Sequence, residues 1–599
     1  MRMDAQSEDR SLAQPWQRTH TCGALRLDHV GRQVTLNGWV NSWRDHGGLT
    51  FVDLRDRYGI TQVVFDPAEG AGLQETARSL RNEFVVSATG TVAPRLEGKR
   101  NPKLPTGDIE LRATALTVLN RSEPAPFDVG GDEEAAEEIR LRHRFVDLRR
   151  PRMQKILIAR HKVCEAIRNH LSDQGFIEIE TPILGRSTPE GARDFLVPSR
   201  VQPGSWYALP QSPQLYKQIM MIAGYDKYYQ IARCFRDEDL RANRQPEFTQ
   251  LDLEMTFCEP DDVMGVNEGL AAAVVEHVTE FLGKKATIPR PFPRLTWHEA
   301  MERFGIDKPD LRFGMEIKDA TAVVRKTEFQ VFQQAEAVRG LTVTGAADKF
   351  SRKNLDELTE FVKEYGAKGL AWLKVEGEKL NGPSAKFFSP ELTAELLAAM
   401  GAKPGDLLLF VADAREATHA PLANLRNRLG RELKLYDPAT FHCSWVVDFP
   451  MFEKDEESGR WVAKHHPFTS LLDEDWDKLE SDPASVRAKA YDLVVNGEEA
   501  GGGTIRIHDA AKQQRIFNLI GLDAEQAELR FGFLLDALRF GAPPHGGIAW
   551  GIDRWVMLLC GLDNIRDVMA FPKTARGSDL MTGAPAPVEA KQLKELGLK

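Results

Sequence analysis

Apolar and polar positions alternate in five short runs near the start of the chain, the period with which a strand turns its side chains to two faces. The runs are 34–40, 49–54, 61–65, 84–92 and 109–119, with a helical repeat over 73–80 between the third and fourth. Five strands with a helix after the third fit an OB-fold, the small barrel that binds single-stranded nucleic acid. Past residue 150 the period changes. Ile156, Leu157, Val163, Ala166, Ile167 and Leu171 recur at helical spacing, Pro151 opens the helix and Gly175 closes it. The run GFIEIETPIL (175–184) then reads as a strand. Pro182 puts it at an edge or interface, because proline cannot donate a full ladder. An apolar run (228–235) and an alternating run (248–257) flank a loop dense in Arg, Asp and Glu, which reads as a hairpin, and a helix over about 261–281 follows.

Texture divides the chain further. Residues 1–15 read as a disordered tail, 16–120 as the barrel, and 121–150, with Pro124, Pro126, Gly130, Gly131 and an acidic cluster, as a hinge. Residues 151–311 and 428–573 read as two parts of one domain, interrupted at 312–427 by an α+β insertion without a catalytic cluster. In the second part Asn496-Gly497 marks a tight hairpin. Gly501 to Gly503 read locally as a flexible turn, and 504–508 as a strand beyond it. The tail, 574–599, is rich in Ala and Pro and reads as extended.

Composition narrows the class. The chain has 599 residues, 42% of them hydrophobic and 28% charged, which suits several packed soluble domains. No apolar run approaches the roughly 18 residues of a membrane span. Six scattered cysteines without a CxxC pair point to reduced thiols, a cytoplasmic setting and no zinc site. The net charge is −10; residues 16–120 carry 13 Lys plus Arg against 11 Asp plus Glu, so RNA recognition there must come from shaped contacts.

Several side chains suggest chemistry. Phe51 and Gln62 lie on the second and third runs, where an aromatic can stack on a base and an amide can read its edge; the plain alternative for Phe51 is core packing. Arg236 and Glu238 share one side of an extended strand, and an Arg there can fork onto phosphate. Ser212, Gln214 and Lys217 fall near a helix N-terminus, which favours anions, although Ser212 before Pro213 also suits simple capping. Asp492 and Glu499 flank the Asn496-Gly497 turn, and two facing carboxylates suit Mg²⁺. His465 and His466, adjacent in a strand, would point to opposite faces and so make a poor metal pair.

The run CFRDEDLRANRQPEFTQLDLEM (234–255) resembles motif 2 of the class II aminoacyl-tRNA synthetases, and its longer form resembles the bacterial-type aspartyl-tRNA synthetases. GFIEIETPIL resembles motif 1 and GGIAWGIDRWVMLLCG motif 3. The insertion resembles the GAD-type domain of the same family. The resemblance implies an α+β fold: an OB barrel, an antiparallel catalytic sheet flanked by helices, and the inserted domain. It implies a homodimer packed around Pro182, and a mobile loop (185–195) whose Glu190 closes over the substrate amine. Arg236 would bridge the α-phosphate and the substrate carboxylate, Glu238 the adenine end of ATP, and Phe248 the adenine ring. Arg554 would hold the γ-phosphate and Arg244 the outer phosphates, with Gln245, Glu499, Gly551 and Asp553 completing the nucleotide site. Ser212, Gln214, Lys217, Asp252, His465, His466 and Arg506 would surround aspartate, Arg506 forking onto its side-chain carboxylate. Arg44, His46, Phe51 and Gln62 match anticodon-reading positions, and His46 is associated with relaxed reading of asparagine anticodons.

The implied chemistry is attack of aspartate's α-carboxylate on the α-phosphorus of ATP, loss of pyrophosphate, and transfer of the acyl group to the 3′ end of tRNA(Asp), with tRNA(Asn) left open. Arg236, Arg554 and Mg²⁺ on Asp492 and Glu499 would offset the developing charge. Asparagine in the pocket would leave Lys217 and Arg506 as desolvated cations without an anion. Lysine would need acidic residues in their place. A non-charging RNA-binding relative should have lost Arg236, Arg554 or the paired carboxylates, and all are present.

Overall fold

The computed structural model describes residues 16–131, 134–188, 192–240, 243–284 and 286–598. They fall into two compact units, one of residues up to 158 together with 569–586, the other of 159–568 and 587 onward.

The first unit holds the expected barrel. Its strands are Gln33–His46, Leu49–Asp56, Gly59–Phe65, Val85–Pro94 and Ile109–Asn120, with the helix Ala71–Ser79 between the third and fourth. The ring closes in the order first, second, third, fifth, fourth, the third and fifth running parallel. Alternation explains the closure: Val34, Leu36, Val52, Leu54, Val63, Phe65, Val86 and Ala88 all point into one buried core. The tail expected to be extended is not. Residues 579 and 584 form a bridge, and Ala590–Glu595 is helical.

The second unit is built on an eight-stranded sheet. Its order is Arg294–Thr296, Cys443–Val447, Ala490–Val495, Glu498–Ile505, His545–Gly551, Glu247–Thr256, Lys227–Phe235 and Ile177–Glu178. All neighbours are antiparallel except at the two ends. Helices Pro260–Phe281 and Ile552–Cys560 pack with it, and from residue 159 the helix Pro151–Asp173 belongs to the same unit. The motif 1 strand is shorter than its sequence suggests. Only Ile177–Glu178 joins the ladder, and the chain leaves the sheet before Pro182.

Asn496 and Gly497 both take positive φ, +54° and +84°, as a tight two-residue hairpin turn requires. The triple glycine after it is strand, not a flexible turn. Glu498–Ile505 runs through Gly501 to Gly503 and pairs on both sides, so the strand expected to begin at Thr504 ends at Ile505. A side chain at Gly503 would strike the Tyr491 ring at 2.6 Å, which is why glycine stands mid-sheet.

The insertion forms its own five-stranded sheet, ordered Lys318–Asp319, Ala337–Val343, Leu407–Asp413, Ala371–Glu376 and Lys379–Asn381. Two hydrophobic clusters made of its own residues fill its faces. Its last helix, His419–Glu432, runs past the boundary expected at residue 427.

Candidate active site

Residues 248, 250, 252 and 254 of the strand Glu247–Thr256 share one face. Phe248 and Gln250 line a cavity of about 220 Å³. Asp252 and Glu254, both fully buried, reach a cluster of cations deeper in the sheet. One strand thus carries side chains for two adjoining sites.

All nine residues assigned to the nucleotide line the cavity. They come from three neighbouring strands, the loop between residues 235 and 247, and the start of the helix Ile552–Cys560. The Arg236 guanidinium lies 5.1 Å from the centroid of the Phe248 ring, a cation–π arrangement that holds both. Arg244 pairs with Glu238 at 3.0 Å on the exposed side. Arg554 donates to the Glu499 carbonyl, and its buried Nε meets no partner among the described residues. Asp553 is already engaged: it accepts from the Thr249 amide at 2.8 Å and from Arg160. Its role in the geometry is to latch the helix onto the strand. Arg160 and Thr249 escaped the sequence reading because nothing in their spacing marks a latch.

The deeper cluster is a closed set of charges. Lys217 Nζ lies 3.0 Å from Asp252 Oδ1 and 3.5 Å from Glu254 Oε2. Arg506 donates to Glu254 and also meets Nε2 of His466 at 2.7 Å. Glu254 was not foreseen, and with Asp252 it corrects the expectation that asparagine in the pocket would leave Lys217 and Arg506 without an anion. Two acids face two cations before any substrate enters. The signal was present: Glu254 is two residues after Asp252, on the same face. Gly547 makes room for it, since a Cβ there would run into the Glu254 carboxylate.

The two acids titrate in opposite directions. Burial raises the Asp252 carboxyl above its ordinary range, and Lys217 only partly offsets this. Burial acts on Glu254 too, but Arg506 and Lys217 outweigh it and hold that carboxyl low. Burial, then Arg506, keeps the His466 imidazole far below its usual range, so it is neutral and can accept from the guanidinium. Burial, then Lys464 and Arg506, brings His465 to about 4. Its ring packs edge-on against Phe449 at 4.9 Å. The two histidines lie in a loop, not the expected strand. Asp252 Oδ2, Gln214 Nε2 and His465 Nε2 are buried without hydrogen-bond partners among the described residues. Gln214 and Lys217 are one helical turn apart, so an unmatched acceptor and donor remain for a ligand bearing an amine and a carboxylate.

Ser212 stands apart from both groups. Its Oγ accepts from the Gln214 amide at 3.3 Å, and it lines a separate cavity of about 160 Å³ with Asp194 and Tyr216. Glu190 lies outside the described residues.

Asp492 is paired across the ladder with Gly502. A Cβ on Gly502 would lie 2.8 Å from Asp492 Oδ1 and 3.7 Å from Glu499 Oε1, so both carboxylates overhang one bare glycine. Burial and the Glu499 charge push the Asp492 carboxyl well above its ordinary range. Two repelling oxygen donors above an open patch of backbone fit a hard divalent cation.

A family model described as tRNA synthetases class II (D, K and N) matches residues 136–575, and one described as OB-fold nucleic acid binding domain matches 34–119. The chain is 58% identical over 589 residues to an aspartate–tRNA(Asp/Asn) ligase of Rhodopirellula baltica, covering 97% of this chain and 99% of that one. It is 53% identical to the ligase of the same name from Caldanaerobacter subterraneus, over 97% of this chain and 98% of that one. The chain belongs to the aspartate–tRNA ligase family of class II synthetases. An asparaginyl-tRNA synthetase structure from Pyrococcus horikoshii shares the fold of this synthetase, with a TM-score of 0.58 at 20% identity, over 93% of this chain and 98% of that one. Among the described residues no helix of this synthetase is long and apolar enough to cross a membrane.

The barrel of this synthetase has its own polar face. Phe51 is half-buried on the outer side while its neighbours Val52 and Leu54 fill the core, so it is not a core residue. Arg44, its cross-strand partner, lies over the Phe51 ring at 5.4 Å and donates to Gln62 Oε1 at 2.7 Å. Gln62 in turn donates to Glu110 at 3.1 Å. His46 is exposed at the hairpin end, before Gly47 and Gly48 at φ +62° and +86°. Asp53 and Glu110, which fix Arg44 and Gln62, were not foreseen.

Proposed function

We propose that this chain activates L-aspartate with ATP and transfers the aspartyl group to tRNA(Asp), with tRNA(Asn) as a second acceptor. One observation carries the reading: a single strand face presents Phe248 and Gln250 to the nucleotide-sized cavity and Asp252 and Glu254 to the buried Lys217–Arg506 cluster. A nucleotide and a small diacid can therefore lie side by side.

The α-carboxylate of aspartate attacks the α-phosphorus and pyrophosphate departs. Arg236 faces that centre and offsets the growing charge; Arg554, anchored on the Glu499 carbonyl, meets the departing phosphates. Asp252 Oδ2 receives the ammonium group, and Arg506 with Lys217 receives the side-chain carboxylate. Glu254 prevents those cations from being mutually unpaired in the free enzyme, at the cost of weakening their pull on the ligand. Asp492 and Glu499 are the residues that would hold Mg²⁺, which supplies charge neutralisation at phosphate oxygens. The adenylate then yields its acyl group to a ribose hydroxyl at the 3′ end of tRNA.

Neutral asparagine would face a cluster that is already balanced. The side-chain pocket rejects it because its amide N–H groups would point at Arg506 and Lys217, which donate and cannot accept. The second acceptor is supported by His46 at the hairpin end and by relatives named aspartate–tRNA(Asp/Asn) ligase. Ile177, Ile183 and Leu184 are about half exposed around Pro182, and this apolar strip favours a homodimer there. The reading places the protein in the cytoplasm. ATP–pyrophosphate exchange should proceed with aspartate and fail with asparagine and lysine, and purified tRNA(Asp) and tRNA(Asn) should both accept aspartate. No exchange with any of the three amino acids would overturn the reading.

A further inference from the structure

Asp492 and Glu499 stand on the two arms of one hairpin, Ala490–Val495 and Glu498–Ile505, but the arms do not hold them alike. Asp492 is laddered on both sides, opposite Val446 and opposite Gly502. Glu499 lies near the tip. Its strand gains a second neighbour only at Gly501, opposite Trp550, and the register between the arms shifts between Leu493 and Val494. An irregularity of that kind bends the strand that carries it. Pairing alone therefore does not set where Glu499 stands relative to Asp492. On the nucleotide side Arg554 holds the Glu499 carbonyl. The turn itself is held by a different part of the chain.

The holders are the two segments by which the chain enters and leaves the insertion. From the outbound segment the His442 N–H donates to Asn496 Oδ1 at 2.8 Å. Asn496 Nδ2 donates to the Thr440 carbonyl at 3.0 Å, and the Asn496 N–H donates to the His442 carbonyl at 3.0 Å. The inbound segment lies against Gly497, where a Cβ would come within 3.0 Å of the Asp310 Cβ. The two segments are also bolted to each other. Arg312 forks onto the Asp310 carboxylate at 2.7 Å and lies 3.9 Å from the centroid of the Tyr436 ring. Arg426, on the insertion's last helix, donates to the Asp310 carbonyl at 2.8 Å. The inbound segment brings the charges of Asp307 and Lys308 to bear on Asp492 as well, behind burial and Glu499 itself.

We infer that Asn496 is a positioning residue of the Mg²⁺ site: it fastens the hairpin tip to the roots of the insertion and so sets how far Glu499 stands from Asp492. The inference rests on the reading of those two carboxylates as the metal ligands. Outer partners that orient metal ligands are worth roughly 10–100-fold in metal affinity.

Asn496→Gly removes both side-chain bonds and keeps the positive φ of +54° without steric cost. Mn²⁺ titrated into the full-length protein with α,β-methylene-ATP, a non-reacting nucleotide, and followed by electron paramagnetic resonance, reports metal binding without turnover. The variant should bind Mn²⁺ about tenfold more weakly, and its Mg²⁺ midpoint in pyrophosphate exchange should rise by about the same factor. At saturating Mg²⁺ its kcat and its KM for aspartate should return to the parental values, which a generally loosened enzyme would not show. Asp492→Asn is the companion variant. If it binds Mn²⁺ as the parent does, the metal site falls and this inference with it. If Asp492→Asn weakens Mn²⁺ binding and Asn496→Gly does not, the inference alone falls. A rise in the aspartate KM of Asn496→Gly that saturating Mg²⁺ leaves uncorrected would also overturn it.

Discussion

Arg506 grips both oxygens of Glu254, Nε to Oε1 at 2.8 Å and Nη2 to Oε2 at 3.1 Å, in a place closed to solvent. The cation assigned to the substrate is therefore held rigid by a resident acid. Such a pair is strong while complete and costly when halved.

Glu254→Gln should destabilise the catalytic unit by about 3–5 kcal/mol, because it leaves Arg506 and Lys217 facing one acid. Urea unfolding measures this. Arg506→Leu should lower kcat/KM for aspartate on the order of 10³-fold while ATP still binds. Normal aspartate-dependent exchange in that variant would refute its role.

Asp492→Asn relieves the repulsion between Asp492 and Glu499. In metal-free buffer the variant should melt no lower than the parent. In exchange assays its Mg²⁺ midpoint should rise at least tenfold. An unshifted Mg²⁺ titration would remove Asp492 from the metal site.

His465 sets an acid limit. Its folded value of about 4 lies below the ordinary 6.5. Above pH 6.5 neither state binds the proton and stability is unaffected. Between 6.5 and about 4 only the unfolded chain takes it up, so stability falls as the pH drops, by on the order of 3 kcal/mol at most. His465→Gln should lack this loss. The stability difference between variant and parent, followed by urea unfolding across that window, should shift steadily in the variant's favour on the acid side.

Phe51→Ala should raise KM for tRNA about tenfold, in line with one lost base stack, and leave pyrophosphate exchange unchanged. An equal loss in both assays would count against base recognition by the barrel.

Much of this architecture can be read from the chain itself, for identifiable reasons. The barrel strands alternate cleanly because one side of each is core, and Val52, Leu54, Val63 and Phe65 announce it. Five of the nine nucleotide residues sit in one dense motif, and all nine end on one cavity. Elsewhere the pattern is silent. Gly501 to Gly503 have no side chains with which to show a period, so a central strand resembles a loop. Glu254 shares a face with Asp252, but the strand alone does not show that Arg506 and Lys217 reach it. The motif 1 run keeps a strand-like alternation although only Ile177–Glu178 finds a partner. Partnership is a property of the assembled sheet and leaves no mark on local spacing.

The strands on either side of the insertion, Arg294–Thr296 and Cys443–Val447, are next-door neighbours in the catalytic sheet. Everything between them is an excursion that must return to its starting point. Closing so long a loop is entropically unfavourable for slack chain. Here the excursion condenses onto its own two cores, and acts as a clasp that delivers the second half of the enzyme to the edge of the first.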